Sequence, residues 1–316
     1  LNYRAGDKMN YRKLLISSIV VIAALSTQVN AKELQAQVQR NTTTVPNIYS
    51  QQNVNAVKSV SQPYPEIAKL IEYNHCDEAD TKLKEMIEAK PNDINLQALR
   101  AVSMAKQHKL EPAQFELDKL LKKAPRNPIL HYAQGYVYMQ RQTASDVDYI
   151  KTTRGLINSA IKEFVTAVNL DSKYYQAYNA MGVATLKLGN KSDALDLFNT
   201  SLKINPGFAN AHDNVGVVQM MNGDLNAAEK SFMSAMKYNT HNPTAWYHMS
   251  QVETRRGNYS KALTWVNHSL HVNPNSSPAL TLQGELYLKQ GNQAAAINSF
   301  KKAQLVKPEN ARPYMN

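Results

Sequence analysis

The 316-residue sequence has a single cysteine, Cys76. No disulfide can close within the chain, and no cysteine-based zinc cluster can form. Glycine is also scarce. Four of the eleven glycines share one register, so they act as punctuation rather than as filler. The sequence has no HExxH helix, no phosphate-binding glycine loop, no GxSxG elbow and no paired carboxylates in a recognisable setting. These absences speak against the common metalloprotease, nucleotide-binding and hydrolase chemistries. No apolar run approaches the ~20 residues that a membrane-spanning helix needs. Blocks of like charge are missing too. The formal net charge is +11, but the 36 basic and 25 acidic residues are scattered, which is a poor footprint for nucleic-acid binding.

What the sequence has instead is a repeat, seen most clearly from Tyr175 to Phe208. Tyr178, Met181 and Gly182 share one helical face, and Leu188-Gly189-Asn190 is a stop signal. Ala194, Leu197, Phe198, Ser201 and Leu202 form a second apolar face, and Asn205-Pro206 closes the unit. The unit recurs with a period of 34, which marks a stacked array rather than one globular core. Counted from each unit's first residue, position 20 is Ala79, Ala113, Ala160, Ala194, Ala228, Ala262 and Ala296. The steps are 34, 47, 34, 34, 34 and 34, so one unit carries 13 extra residues. The physical reason for alanine is close approach of the second helix to the first. A leucine there would overpack the contact, at a cost of about 1–3 kcal/mol.

Other columns keep the same frame. Position 24 holds Leu83, Leu117, Phe164, Phe198, Phe232, Val266 and Phe300. Position 8 holds Gly135, Gly182, Gly216 and Gly284. Position 15 holds Gly189, Gly223, Gly257 and Gly291, where the first helix must end in a left-handed residue. Position 32 holds Pro91, Pro125, Pro206, Pro274 and Pro308. On these columns the chain resembles the tetratricopeptide repeat (TPR) family from Val60 to about Asn310. The resemblance implies an all-α, right-handed superhelical solenoid of about seven helix-turn-helix units, starting at residues 60, 94, 128, 175, 209, 243 and 277. It implies little about activity, since the fold serves many unrelated partners.

In chain order, residues 1–8 precede Met9, which is read as the true start. Arg12 and Lys13 followed by the apolar stretch Leu14–Leu25 and Val29-Asn30-Ala31 form an export signal, with a mature chain from Lys32. An uncleaved anchor is the alternative. Cleavage would leave +8, since residues 1–31 hold four basic and one acidic residue, and no stable membrane insertion. Residues 32–59, rich in Gln, Asn, Thr and Val, form a disordered linker. The first unit, from Val60, is the weakest. Pro63 and Pro65 disrupt the start of its first helix, as in an atypical cap. In the third unit the insertion covers roughly 142–154, with the second helix resuming at Gly155. It is either a tolerated arm or a projection that contacts a partner. The tail is 311–316. It leaves the last helix exposed or covered by a partner, self-association through the C-terminal unit being one reading.

In the family, positions 2, 5, 9, 12 and 13 of the first helix line a concave groove. The resemblance carries this onto Ile129, Tyr132, Tyr136 and Met139, then Gln176, Asn179, Val183 and Leu186. It continues through Asn210, Asp213, Val217 and Met220 to Thr244, Tyr247 and Gln251. Aromatics offer rigid anchors, amides can bond a peptide backbone, and methionine adapts to irregular shapes. The plainer reading is that the aliphatics only pack between helices. Position 13 holds Lys106, Lys187, Arg255 and Lys289. This is either a basic rim that steers acidic ligands or a set of cations suited to the negative end of their own helix. His268 and His271 share a face, but two ligands fall short of a zinc site, and they read as surface histidines. Cys76 reads as a structural, partly buried residue.

The expectation is a non-catalytic protein-interaction scaffold, without cofactor or metal. It would be exported to the bacterial periplasm or outside the cell, and would bind a protein or peptide partner in the groove. Alternatives are an accessory subunit of an envelope assembly machine (of pilus, outer-membrane or cytochrome maturation type) and a binder of anionic envelope polymer.

Overall fold

The computed structural model describes residues 63–141 and 149–306, with 149–152 in backbone only. The export signal, the linker, the start of the first unit at Val60, Pro308, the tail and residues 142–148 of the insertion lie outside the described residues.

Among the described residues all regular structure is helical and falls into seven pairs. These are α1 (Pro65–Glu72) with α2 (Cys76–Ala89), α3 (Ile94–Lys106) with α4 (Leu110–Lys123), and α5 (Pro128–Gln140) with α6 (Tyr149–Leu170). Then come α7 (Tyr175–Lys187) with α8 (Lys191–Ile204), α9 (Ala209–Met221) with α10 (Leu225–Tyr238), α11 (Pro243–Arg255) with α12 (Tyr259–Val272), and α13 (Ser277–Lys289) with α14 (Gln293–Val306). Odd-numbered helices are the first of each pair. Each pair packs on the next, which makes the described residues a solenoid of stacked helix pairs.

Local chemistry sets the helix ends. Asp93, Asn127, Asn242 and Ser276 cap α3, α5, α11 and α13, their side chains accepting backbone N–H groups of the first turn. Pro128 and Pro243 follow at the first helical position, where a missing N–H costs nothing. At the other end, Gly189, Gly223, Gly257 and Gly291 sit at φ 91°, 87°, 80° and 77°. The next residue then donates back five positions, as from Asn190 N to Thr185 O (3.2 Å) and Asn258 N to Glu253 O (2.9 Å). This is the Schellman closure.

The first two pairs close in the same way without glycine. Asn74 and His108 take φ 63° and 59°. His75 N reaches Leu70 O and Lys109 N reaches Met104 O, both at 2.9 Å.

All seven position-20 alanines are fully buried. The position-8 glycines have a partner the sequence did not reveal. A methyl group on Gly135, Gly182, Gly216 or Gly284 would meet the ring of Phe164, Phe198, Phe232 or Phe300 at 2.5–2.6 Å. Real side chains do not approach so closely, so the phenylalanine fills the space the glycine leaves. Where position 24 is smaller, as Leu83, Leu117 or Val266, position 8 carries Ile67, Ala101 or Ser250, all buried.

Two expectations need correcting. Pro65 does not disrupt the first unit; it occupies the first turn of α1, after a left-handed Tyr64 at φ 55°. The second helix of the third pair does not resume at Gly155. It already begins at Tyr149 and runs 22 residues, against 14 in α8. Gly155 is exposed and has open space around it, so it punctuates nothing there.

Candidate functional site

The inner faces of α1, α3, α5, α7, α9 and α11 enclose a chamber of about 310 Å³. Each of these helices is the first of its pair, so the twist of the stack brings one face of each toward a common centre. Of the residues expected in the groove, Tyr132, Tyr136, Met139, Gln176, Asn179, Val183, Asn210, Asp213 and Thr244 line this chamber.

The others lie elsewhere. Ile129 is buried and lines a second cavity, beside Pro63, Asn127 and Tyr174. Met220 is buried in the core, Val217 packs against that same cluster, and Leu186 packs beside Phe198. For these four the plainer reading, packing between helices, describes the geometry. Tyr247 and Gln251 are half-buried farther along α11, where the Gln251 Nε2 donates to the Tyr247 hydroxyl at 2.9 Å.

The chamber holds groups that the middle of the array does not supply. Ala68, Ile71 and Glu72 come from α1, and Lys106 from α3. Burial pushes the Glu72 carboxyl up to about 7, against the opposing pull of Lys106, a hydrogen bond from Tyr175, and Lys69. Burial lowers the Lys106 ammonium, with Cys76 and Glu72 opposing. Part of the Lys106 surface still opens on the chamber, while protein surrounds the rest. Its Nζ donates to Ile71 O at 2.7 Å, and to Glu72 O and Asn74 Oδ1 at 3.3 Å. Burial also raises the hydroxyls of Tyr132 and Tyr174, so both remain neutral donors. The Tyr132 ring packs against Tyr174 and Phe164 at 5.2 and 5.9 Å. Gln176 is buried in the chamber wall, and its Oε1 has no hydrogen-bond partner among the described residues.

The basic row at position 13 does not form a continuous rim. Lys106 is spent on the end of α1. The Arg255 Nη1 donates to Met220 O at the end of α9. Both therefore serve the terminus of the preceding unit's first helix rather than their own. Lys187 and Lys289 are exposed, and Lys187 borders the chamber. His268 and His271 are exposed, with the His268 ring 4.9 Å from Trp246. Cys76 is buried, and burial pushes its thiol up, which makes it less reactive.

Extending the groove columns into the first two units would have found Ala68, Ile71, Glu72 and Val102. Asn214, at position 6, was outside every column. It reaches the groove through its Nδ2, which donates to Asn179 Oδ1 at 2.8 Å.

Comparison with known proteins agrees with this geometry. Residues 219–286 and 277–310 match models of the tetratricopeptide repeat. No curated protein matches the chain. Among solved structures, that of the APC/C hetero-tetramer Cut9–Hcn1 aligns at TM-score 0.63 and 17% identity, over 78% of this chain and 46% of that one. This chain thus spans less than half of its length. PilW, described as a widely conserved type IV pilus biogenesis factor, aligns at 0.54 and 16%, over 71% of this chain and 99% of its own. PilF of Pseudomonas aeruginosa aligns at 0.52 and 16%, over 68% and 92%. At these identities the likeness is one of fold.

Proposed function

We propose, from the premise that the chain is a tetratricopeptide-repeat protein, that it is a scaffold holding a segment of a partner polypeptide against its concave face. The observation that carries this reading is the chamber itself. Six helices converge on it with a mixture of aromatic, aliphatic and amide groups, and among the described residues Gln176 Oε1 has no donor of the kind a buried carbonyl oxygen requires. A backbone N–H of a bound segment supplies such a donor. Side-chain amides at Asn179, Asn210 and Asn214 can read its other main-chain groups. The place of action in this reading is the cell envelope, supported by the basic, apolar and small-residue order of the first 31 residues.

The test is crosslinked capture from intact cells with the wild type and with Asn179→Arg plus Thr244→Arg. Both residues line the chamber outside the buried core, so the fold survives and the groove is blocked. We expect capture of the specific partner to fall at least tenfold. Equal capture would remove the groove as the binding surface. Tyr132→Ala is a poorer probe, because that ring also holds Phe164 and Tyr174 in place.

A second reading is an accessory subunit of an envelope assembly machine. The shared fold with PilW, described as a type IV pilus biogenesis factor, favours it. Stoichiometric co-purification with a membrane complex separates it from a free scaffold.

A further inference from the structure

The chamber wall holds an acid without a counter-ion. Glu72, at the end of α1, is fixed there by its backbone. Its carbonyl accepts from Lys106 Nζ and from Asn210 Nδ2 on α9, both at 3.3 Å, the second across 138 residues. Asn210, expected to bond a partner's backbone, spends this N–H on its own chain. The carboxylate is less well served. Among the described residues it forms no ion pair, and its support is a hydrogen bond from Tyr175. Lys106 does not bond it. An ammonium has three donors, and those of Lys106 go to Ile71 O, Glu72 O and Asn74 Oδ1. Lys69 is exposed.

Aromatic rings stand in the same wall. Tyr132 and Tyr136, both half-buried, lie with ring centroids 6.3 Å apart, and Tyr174 and Phe208 line the chamber with them. The face of such a ring carries the negative end of its quadrupole and attracts a cation. An unpaired acid among these rings is a receptor for positive charge. At about 310 Å³ the chamber is small for a ligand pocket, which suits one side chain better than a folded segment.

We propose that the chamber receives one basic side chain, lysine or arginine, of the bound segment, with Glu72 as its counter-ion and the Tyr132 and Tyr136 rings against its charged head. The proposal rests on the groove reading above and gives that reading its ligand class. Gln176 is left to the segment's main chain, and Glu72 takes the side chain.

The receptor is sensitive to pH. Facing Glu72 are Lys69 from its own helix, Tyr73 from the following turn, Lys106 from α3, Tyr132 from α5, and Tyr174 and Tyr175 at the start of α7. Elsewhere in the wall, Asp213 is engaged by His248 Nδ1 at 2.9 Å, and Lys187 is exposed at the border. Burial sets the Glu72 carboxyl of the free protein at about 7. A bound cation favours the ionised form and lowers that value, so binding releases a proton. Affinity is therefore full above about pH 7 and weakens as pH falls below it.

n-Butylammonium and n-butylguanidinium, titrated separately into the full chain at about pH 7.5, test this, with the side-chain amide resonances of Asn179 and Asn214 as reporters. At least one of the two should shift both resonances saturably, and the tighter binder separates lysine from arginine. n-Butanol, of similar length and without charge, should bind at least tenfold more weakly. Glu72→Gln should cost the cation at least tenfold. Lowering the wild type to about pH 5.5 should do the same, and should leave Glu72→Gln unaffected. The variant should unfold no earlier than the wild type at about pH 7.5, since it removes a charge that burial disfavours. The proposal is overturned if neither cation binds, if n-butanol binds equally well, or if Glu72→Gln binds as the wild type does. Earlier unfolding of the variant would overturn it too, because the carboxylate would then already be paired within the chain. Loss of capture in Asn179→Arg plus Thr244→Arg, with no cation binding, would leave the groove reading standing and this one fallen. Cation binding with unchanged capture would do the reverse.

Discussion

The first two units and the last four build the same backbone from different residues. From Tyr175 onward each first helix ends on glycine. In the first two units the same left-handed position is taken by Asn74 and His108, and the same five-residue back-bond forms. The third, fourth, fifth and seventh units nest a phenylalanine over a glycine, while the second sets Leu117 against Ala101. In these five units the summed volume at the two positions is nearly kept, whereas the first unit combines Ile67 with Leu83 and the sixth Ser250 with Val266. The repeat models match residues 219–310 and none of the first two units. The difference shows that geometry binds these positions more tightly than residue identity does: the turn requires a positive φ and the packing requires a volume, and each can be met in more than one way.

The largest break in this comparison comes from removing the nested ring. Phe232→Ala, at a fully buried side chain over Gly216, should cost about 3–5 kcal/mol in chemical denaturation. It leaves a cavity that a glycine backbone cannot fill. At the small end is the left-handed position. A β-carbon there is unfavourable by ~1–2 kcal/mol, partly offset by glycine's larger unfolded-state entropy. His108→Gly should therefore gain about 0.5–1 kcal/mol. Asn74→Gly should gain less, because asparagine tolerates that conformation and its Oδ1 accepts from Lys106 Nζ at 3.3 Å. Equal gains at both sites would mean that the side chains act through contacts rather than through φ.

Much of this was legible because it is local. Stops such as Gly223 and the alanine of each close approach are written within one 34-residue window. Tyr132, Asn179 and Asn210 could be placed on the inner face because the family resemblance says which columns line it. The chamber could not be read so directly. It exists because the twist of five units brings Glu72 back to Asn210, and no single window contains that sum. Lys106 and Arg255 show the same limit. A cation near a helix end was readable, but which helix end it serves depends on the neighbouring unit. Gly155 misled for the opposite reason. An exposed glycine with nothing beside it costs a helix only about 1 kcal/mol, and α6 runs through it.

The volume exchange between positions 8 and 24 is the claim on which the stack depends, and one cycle tests it. Gly216→Ala and Phe232→Leu, made singly and together, convert the fifth unit's pair into the second unit's. In the wild-type background a methyl at Gly216 meets the Phe232 ring at 2.6 Å, so Gly216→Ala should lose about 1–3 kcal/mol. In the Phe232→Leu background the same change should be neutral or gain up to about 1 kcal/mol, as alanine replaces glycine inside a helix. Equal losses in both backgrounds would contradict the account.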